Sequence, residues 1–151
     1  MAASIFAYGT LEIPAVMRAV TGRTFPSRSG VLRGFARFLV RERPYPGIVE
    51  AKGEETDGTL YESVDPRSVA LLDLFEGSLY ERWQVTVAVP GIGPLPAETY
   101  VVPARLRDAL SGEPWNRPRF IAEHLGPYLE ACRAFRASEA ARVARQPASR
   151  S

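Results

Sequence analysis

Two short stretches of this chain carry residue types whose spacing suits chemistry. The first is Leu71-Leu72-Asp73-Leu74-Phe75-Glu76-Gly77. If a helix ends at Glu76, its carboxylate lies at the negative end of the helix dipole, and partial burial adds to that field. Both effects disfavour ionisation and raise the pKa toward neutrality. A single carboxyl group can then take a proton in one step and return it in the next. Asp73, Glu62 and Glu81 compete for this role, and a surface glutamate beside a capping glycine would read the same way. The second stretch is Tyr8-Gly9-Thr10-Leu11. Gly9 lets the backbone turn and lets a ligand approach closely. Successive N–H groups facing one concavity would hold an anion such as a carboxylate. An ordinary strand-to-helix turn has the same composition.

Other chemistries find no support. One histidine and one cysteine cannot furnish an ordinary zinc site. There is no GxxxxGK[ST] phosphate loop, no GxGxxG fingerprint and no GxSxG elbow. His124 falls in a late amphipathic segment and reads as a surface or packing residue. Cys132 lies on the apolar side of that segment and reads as core.

The elements that must position these stretches follow from local pattern. Ser4 to Tyr8 is a short apolar strand running into Gly9-Thr10. A short helix follows, with Pro14 in its first turn and Gly22 after its last. Gly30 to Arg43 alternates loosely and reads as one or two strands bent at Gly34. Arg43-Pro44-Tyr45-Pro46-Gly47 reads as a rigid turn, and residues 57–64 as a strand. Asp65-Pro66 caps a helix whose apolar stripe is Val69, Leu72 and Phe75, widened by Leu71 and Leu74. Gly77 suits a left-handed cap at its end. Tyr80 to Val89 alternates strictly: Trp83, Val85, Val87 and Val89 share one face, Tyr80, Arg82, Gln84 and Thr86 the other. Pro90 to Pro96 is a turn and Ala97 to Val102 its return strand. Residues 117–136 form a helix with Ile121, Leu125, Tyr128, Leu129 and Cys132 on one side. The domain is expected to span 1–137, with 138–151 a disordered tail. Strands first, one helix among them and a helix at the end argue for an α+β fold on a mostly antiparallel sheet able to close on itself.

The chain has 151 residues, 46% hydrophobic and 24% charged, which suits one domain with its own core. The formal net charge is +2, with basic residues leading in both outer thirds and acidic ones in the middle. Nearly all the basic residues are arginine, but no basic run is interleaved with aromatics, so nucleic acid is not expected as a partner. The N-terminus lacks the features of a signal peptide, and no apolar run approaches the ~20 residues of a membrane span. With a single cysteine and hence no internal disulfide, a cytoplasmic protein is expected, without membrane contact.

Taken in order, the motifs resemble those of the γ-glutamylcyclotransferase-like and AIG2-like proteins. Tyr8-Gly9-Thr10-Leu11 resembles their YG[ST]L signature, and Leu72 to Gly77 followed by Tyr80-Glu81-Arg82 resembles their LDxxEG…Y.R block. Tyr45-Pro46-Gly47 and Gly58-Thr59-Leu60-Tyr61 match the turn and strand between them. The resemblance covers roughly residues 4–103. Tyr100-Val101-Val102-Pro103 departs from it, standing where some AIG2-like members have a tryptophan. The resemblance implies a small barrel-like sheet with a few flanking helices. It also implies conversion of a γ-glutamyl amide to 5-oxoproline and a free amine, with Glu76 as base and then acid. No cofactor or metal is required, because nucleophile and electrophile belong to one molecule. The small-molecule γ-glutamyl substrate would meet Tyr8, Gly9, Thr10 and Leu11, Pro46 and Gly47 at the rim, Tyr80, and Arg82. Arg82 fits a structural ion pair equally well. A non-catalytic module binding small carboxylates or γ-glutamyl metabolites is the alternative reading.

Overall fold

The first strand is apolar on both faces because it has a core on each side. In the computed structural model, which describes residues 2–145, β1 (Ala3–Ala7) places Phe6 in one apolar cluster and Ile5 and Ala7 in another. That is the two-residue alternation of a pleated strand. The other strands are β2 (Ser27–Leu39), β3 (Pro46–Val64), β4 (Glu81–Val89) and β5 (Gly93–Val101). They close into a barrel in the order β1-β3-β2-β4-β5. Every pairing is antiparallel except the closing one, where β1 meets β5 in parallel at Ile5 and Glu98. Closure removes the unpaired edges an open sheet would expose.

All five strands contribute to the barrel interior, among them Phe6, Leu32, Ile48, Leu60, Val87 and Val101. The second cluster lies between the barrel and the helices. It joins Ile5 and Ala7 to Val16, Met17 and Val20 of α1 (Pro14–Thr21), Leu72 of α2 (Pro66–Glu76), Phe120 of α3 (Arg117–Glu123) and Cys132 of α4 (Leu125–Ala144). The expected α+β class and mostly antiparallel barrel are thus what the chain adopts.

The caps behave as their residues dictate. Asp65 accepts from the Ser68 N–H at 3.1 Å, Pro66 opens α2, and Gly22 closes α1 at φ 78°, ψ 5°. Gly77 also has positive φ (78°), but its ψ of −163° lies outside the compact left-handed region expected there. β2 is one strand, shifted in register where Gly34 takes φ 89°.

Other expectations change, among them the return strand read from Ala97, which begins at Gly93. β3 begins at Pro46, eleven residues before the strand read from the sequence. Its polar Glu50–Thr56 stretch carries no alternation signal and is held by pairing with β2. Pro46 and Gly47 are therefore strand residues opposite Leu39 and Phe38, with the turn before them. Pro46 is tolerated because it is the strand's first residue. Leu74 does not widen the buried stripe of α2, being 53% exposed. The final helix breaks at His124, because Pro127 cannot donate to Glu123 and its ring would clash there, and Ile121 ends up on the solvent side. Beyond 137 the chain continues as helix to Ala144. Ala, Arg and Glu are good helix formers, and Arg142 pairs with Glu139 at 3.0 Å. Residues 146–151 of the expected tail lie outside the described residues. Among the described residues no helix is long and apolar enough to cross a membrane.

Candidate active site

Glu76 is the last residue of α2, whose inner face is fixed by Val69 and Leu72 against the second core. That anchoring aims the helix end at the mouth of the barrel. A hollow of about 190 Å³ opens there between β1, β3, α2 and α4. Tyr8, Gly9, Thr10 and Leu11 line one part of it, Pro46 and Tyr45 another, and Phe75, Glu76 and Tyr80 a third. The two stretches singled out in the sequence, 67 positions apart, thus share one cavity.

Glu76 is the only charged residue in that lining. Burial pushes its carboxyl up to about 8, and the negative charge of Asp73, one turn back on α2, adds to the effect. No protein group donates a hydrogen bond to it among the described residues. The three competing carboxylates are all engaged. Asp73 takes the Arg82 guanidinium at 3.0 Å and the Tyr100 hydroxyl at 2.7 Å. Glu62 pairs with Arg28 at 2.9 Å. Glu81 accepts from Trp83 Nε1 at 3.0 Å and meets Arg105 at 2.8 Å.

The loop opposite is a single 3-10 turn, Thr10–Glu12, entered through Gly9. The Glu12 N–H is spent on the Gly9 carbonyl at 3.0 Å. The N–H groups of Gly9, Thr10 and Leu11 have no acceptor among the described residues, as expected where a helical turn begins. They are therefore free for an anion. Gly9 owes its identity to a neighbour as well as to any ligand: a Cβ there would stand 2.6 Å from Pro46 Cγ. Pro46 in turn offers its carbonyl to the Tyr80 hydroxyl at 2.8 Å. Glycine, proline and tyrosine from three separate parts of the chain thus set each other's positions on one wall.

Phe6, Tyr100 and Tyr128 make up half of the rest. Tyr8 donates to the Tyr100 carbonyl at 2.6 Å, and Tyr128 shares a 3.1 Å hydrogen bond with the Thr10 hydroxyl. Burial raises the pKa of Tyr8, Tyr80, Tyr100 and Tyr128, so all four stay neutral hydroxyls. Burial also pushes the Cys132 thiol up to about 11, which leaves it protonated and unreactive. The arrangement supplies one partnerless carboxyl of high proton affinity, a set of free amides and a neutral aromatic wall. It can bind a small anion and move one proton at a time.

Two residues expected to meet substrate lie outside the lining. Gly47 is next to Pro46 but on the other face of β3, where a Cβ would stand 2.7 Å from Val102 Cγ2 and 3.4 Å from the Tyr80 ring. Its smallness makes room for Val102. Arg82 pairs with Asp73 and Glu98 on the outer surface of the barrel. Of the two roles left open for Arg82, the geometry matches the ion pair. Sequence reading missed Tyr45, Phe75, Tyr100 and Tyr128 as lining residues. Tyr100 did carry a signal, because it departs from the tryptophan of some relatives. Tyr128 gave none beyond its place on an apolar helix face.

The gamma-glutamyl cyclotransferase, AIG2-like family model matches residues 5–117. AIG2-like protein A of Arabidopsis thaliana is 30% identical over 130 residues, covering 84% of this chain and 77% of that protein. A solution structure of an Arabidopsis thaliana protein superposes with a TM-score of 0.67 at 24% identity, covering 100% of this chain and 92% of the other. A structure described as a gamma-glutamyl cyclotransferase superposes at 0.59 with 14% identity, covering 89% and 88%, which shows the shared fold. The match spans both stretches that line the hollow, and this chain belongs to the gamma-glutamyl cyclotransferase, AIG2-like family.

Proposed function

We propose that the protein converts a γ-glutamyl amide to 5-oxoproline and a free amine, without a metal or cofactor. The substrate's α-carboxylate lies on the free amides of Gly9, Thr10 and Leu11. Its α-ammonium faces Glu76, whose charge it offsets. Glu76 takes one proton from that ammonium. The freed amine attacks the γ-carbonyl carbon of the same molecule and closes a five-membered ring. The C–N bond to the leaving amine then breaks, Glu76 returns its proton to the departing nitrogen, and the ring nitrogen gives up its second proton, which the released amine carries away as an ammonium. The atoms balance with no outside nucleophile, so one carboxyl group suffices. Holding the glutamyl chain folded contributes up to ~10 kcal/mol in favourable intramolecular systems. The neutral wall of Tyr80, Tyr100 and Tyr128 keeps water from competing and orients the chain.

The observation that carries this reading is the isolation of Glu76: a carboxyl group with pKa about 8, without a partner, across a small hollow from unpaired amides. A pure anion binder would gain nothing from it. The test is release of 5-oxoproline from a panel of γ-glutamyl amino acids, peptides and amines, comparing wild type with Glu76→Gln. Turnover is expected in the first protein and not in the second. Equal turnover in both would reject Glu76 as the catalyst. No turnover with measurable ligand binding would favour a binding module.

A further inference from the structure

Beside the amide loop, outside the lining of the hollow, sits a cluster of charges that the reaction above does not use. Arg37 of β2 is at its centre, with 21% of its side chain exposed. One terminal nitrogen donates to the Tyr8 carbonyl at 2.7 Å and to the Asp57 carbonyl at 3.1 Å. The other donates to the Asp57 carboxylate at 3.1 Å. The guanidinium is also 4.0 Å from the Glu12 carboxylate and 5.9 Å from the centre of the Trp115 ring. Glu12 is 8% exposed, faces Arg117 at 4.0 Å and accepts from Thr59 at 3.4 Å. Burial raises the Glu12 pKa, and the two arginines hold it down. The two arginines and two carboxylates balance, so no net charge is buried. The cluster ties β2, β3 and the start of α3 to one loop.

The contact with Tyr8 has a directional consequence. There are no cis peptide bonds among the described residues. In a trans peptide the carbonyl of one residue and the N–H of the next point in opposite directions. Arg37 lies outside the lining of the hollow, whereas Tyr8 and Gly9 belong to it. A Tyr8 carbonyl held toward Arg37 therefore turns the Gly9 N–H away from Arg37, toward the hollow. A cation on the carbonyl also polarises the peptide and makes that N–H a stronger donor. Arginine suits the task, because its fork can grip Asp57 and Tyr8 together. Tyr61 holds the far end of the loop, donating to the Leu11 carbonyl at 2.7 Å.

We infer that Arg37 is a positioning residue for substrate binding, aiming the Gly9 amide at the substrate carboxylate through the Tyr8–Gly9 peptide. It touches no substrate itself. The inference rests on the reading of the Tyr8–Leu11 loop as the carboxylate cradle, though not on the ring closure.

The experiment uses the full-length protein labelled with nitrogen-15 and titrated with 5-oxoproline, whose carboxylate is the group in question. In wild type the Gly9 amide resonance is expected to move with the bound fraction. In Arg37→Met that resonance should be displaced before any ligand is added. The Kd for 5-oxoproline should rise roughly tenfold to a hundredfold, the scale of losing one charge-assisted hydrogen bond. KM should rise more than kcat falls, and Arg37→Lys should recover part of the affinity. A merely structural arginine would change the melting temperature and leave the affinity of the folded protein alone. A folded Arg37→Met protein with wild-type Kd and KM would overturn the inference. So would a wild-type Gly9 amide that stays still at saturating 5-oxoproline, a result that does not depend on any variant folding. If 5-oxoproline is released normally while Gly9 is silent, the carboxylate cradle at Gly9 and the role of Arg37 fail together, and the ring closure stands. If Gly9 responds and Arg37→Met weakens binding, but no γ-glutamyl amide is turned over, the positioning role stands and the proposed reaction fails.

Discussion

Asp73 and Glu76 stand one turn apart on the same helix and have opposite environments. Asp73 faces the outer surface, where Arg82 and the Tyr100 hydroxyl hold its charge in place. Glu76 faces the hollow, where nothing among the described residues donates to it and burial pushes its carboxyl up to about 8. Residue type and helix position hardly separate the two. The partner does, and the partners of Asp73 arrive from β4 and β5. Asp73 is also what joins the regions, because its charge raises the proton affinity of Glu76. Arg82 and Tyr100 thus border the active centre electrically, Arg82 from outside the hollow.

The largest expected effect comes from removing the partnerless member. Glu76→Gln should lower kcat by roughly 10²–10⁴-fold, the usual range for a general acid–base group, while far-UV circular dichroism and 5-oxoproline affinity stay close to wild type. The same change should alter stability in a definite direction. A carboxyl group whose folded pKa exceeds its unfolded value of 4.5 costs stability as pH rises from that value to about 8. Wild type should therefore lose stability across that window, and Glu76→Gln should not. The carboxyl is reachable through the hollow, so the difference at pH 8 is on the order of 1–3 kcal/mol. Urea unfolding at pH 5 and pH 8 measures it. A gap that does not widen with pH would mean that Glu76 is as well solvated as Asp73.

Gly9→Val comes next. Its Cβ would collide with the Pro46 ring, so Pro46 must move and Tyr80 loses its anchor. Destabilisation of roughly 1–3 kcal/mol is expected for such overpacking, together with loss of 5-oxoproline binding. Unchanged affinity would remove the loop from the site.

The smallest effects probe the link between the two carboxylates. Because Glu76 must be ionised to take a proton, kcat/KM should rise with pH and level off above about 8. Asp73→Asn removes a negative neighbour, and the rising limb should move to lower pH. Arg82→Gln leaves the Asp73 charge uncompensated, and the limb should move to higher pH. Both groups are partly exposed, so each displacement should be about half a pH unit to one unit. Shifts in the same direction would show that Asp73 does not tune Glu76 through its charge.

Much of this was legible in the chain. The caps at Asp65 and Gly22, the alternation of β4 and the break after Tyr8 depend on neighbours within a few positions, and they appear where the pattern places them. Arg82 shows where such reasoning stops. It was paired with Tyr80 by strand parity, but β4 begins at Glu81, and parity does not extend past the end of a strand. Tyr80 accordingly lines the hollow, while Arg82 lies on the outside. The early half of β3 was illegible for a related reason: its polar residues carry no alternation, and its extended form is imposed by β2.

What the sequence determined by itself is the set of local elements and the two short stretches proposed to bind an anion and carry a proton, since caps, turns and strand faces are set by adjacent residues. The tertiary structure alone decided that these stretches meet, that Glu76 and not Asp73 is left without a partner, and that an arginine on β2 faces the Tyr8 carbonyl. Burial and charge pairing are properties of groups brought together from far apart in the chain, and only the closing of the barrel brings them together.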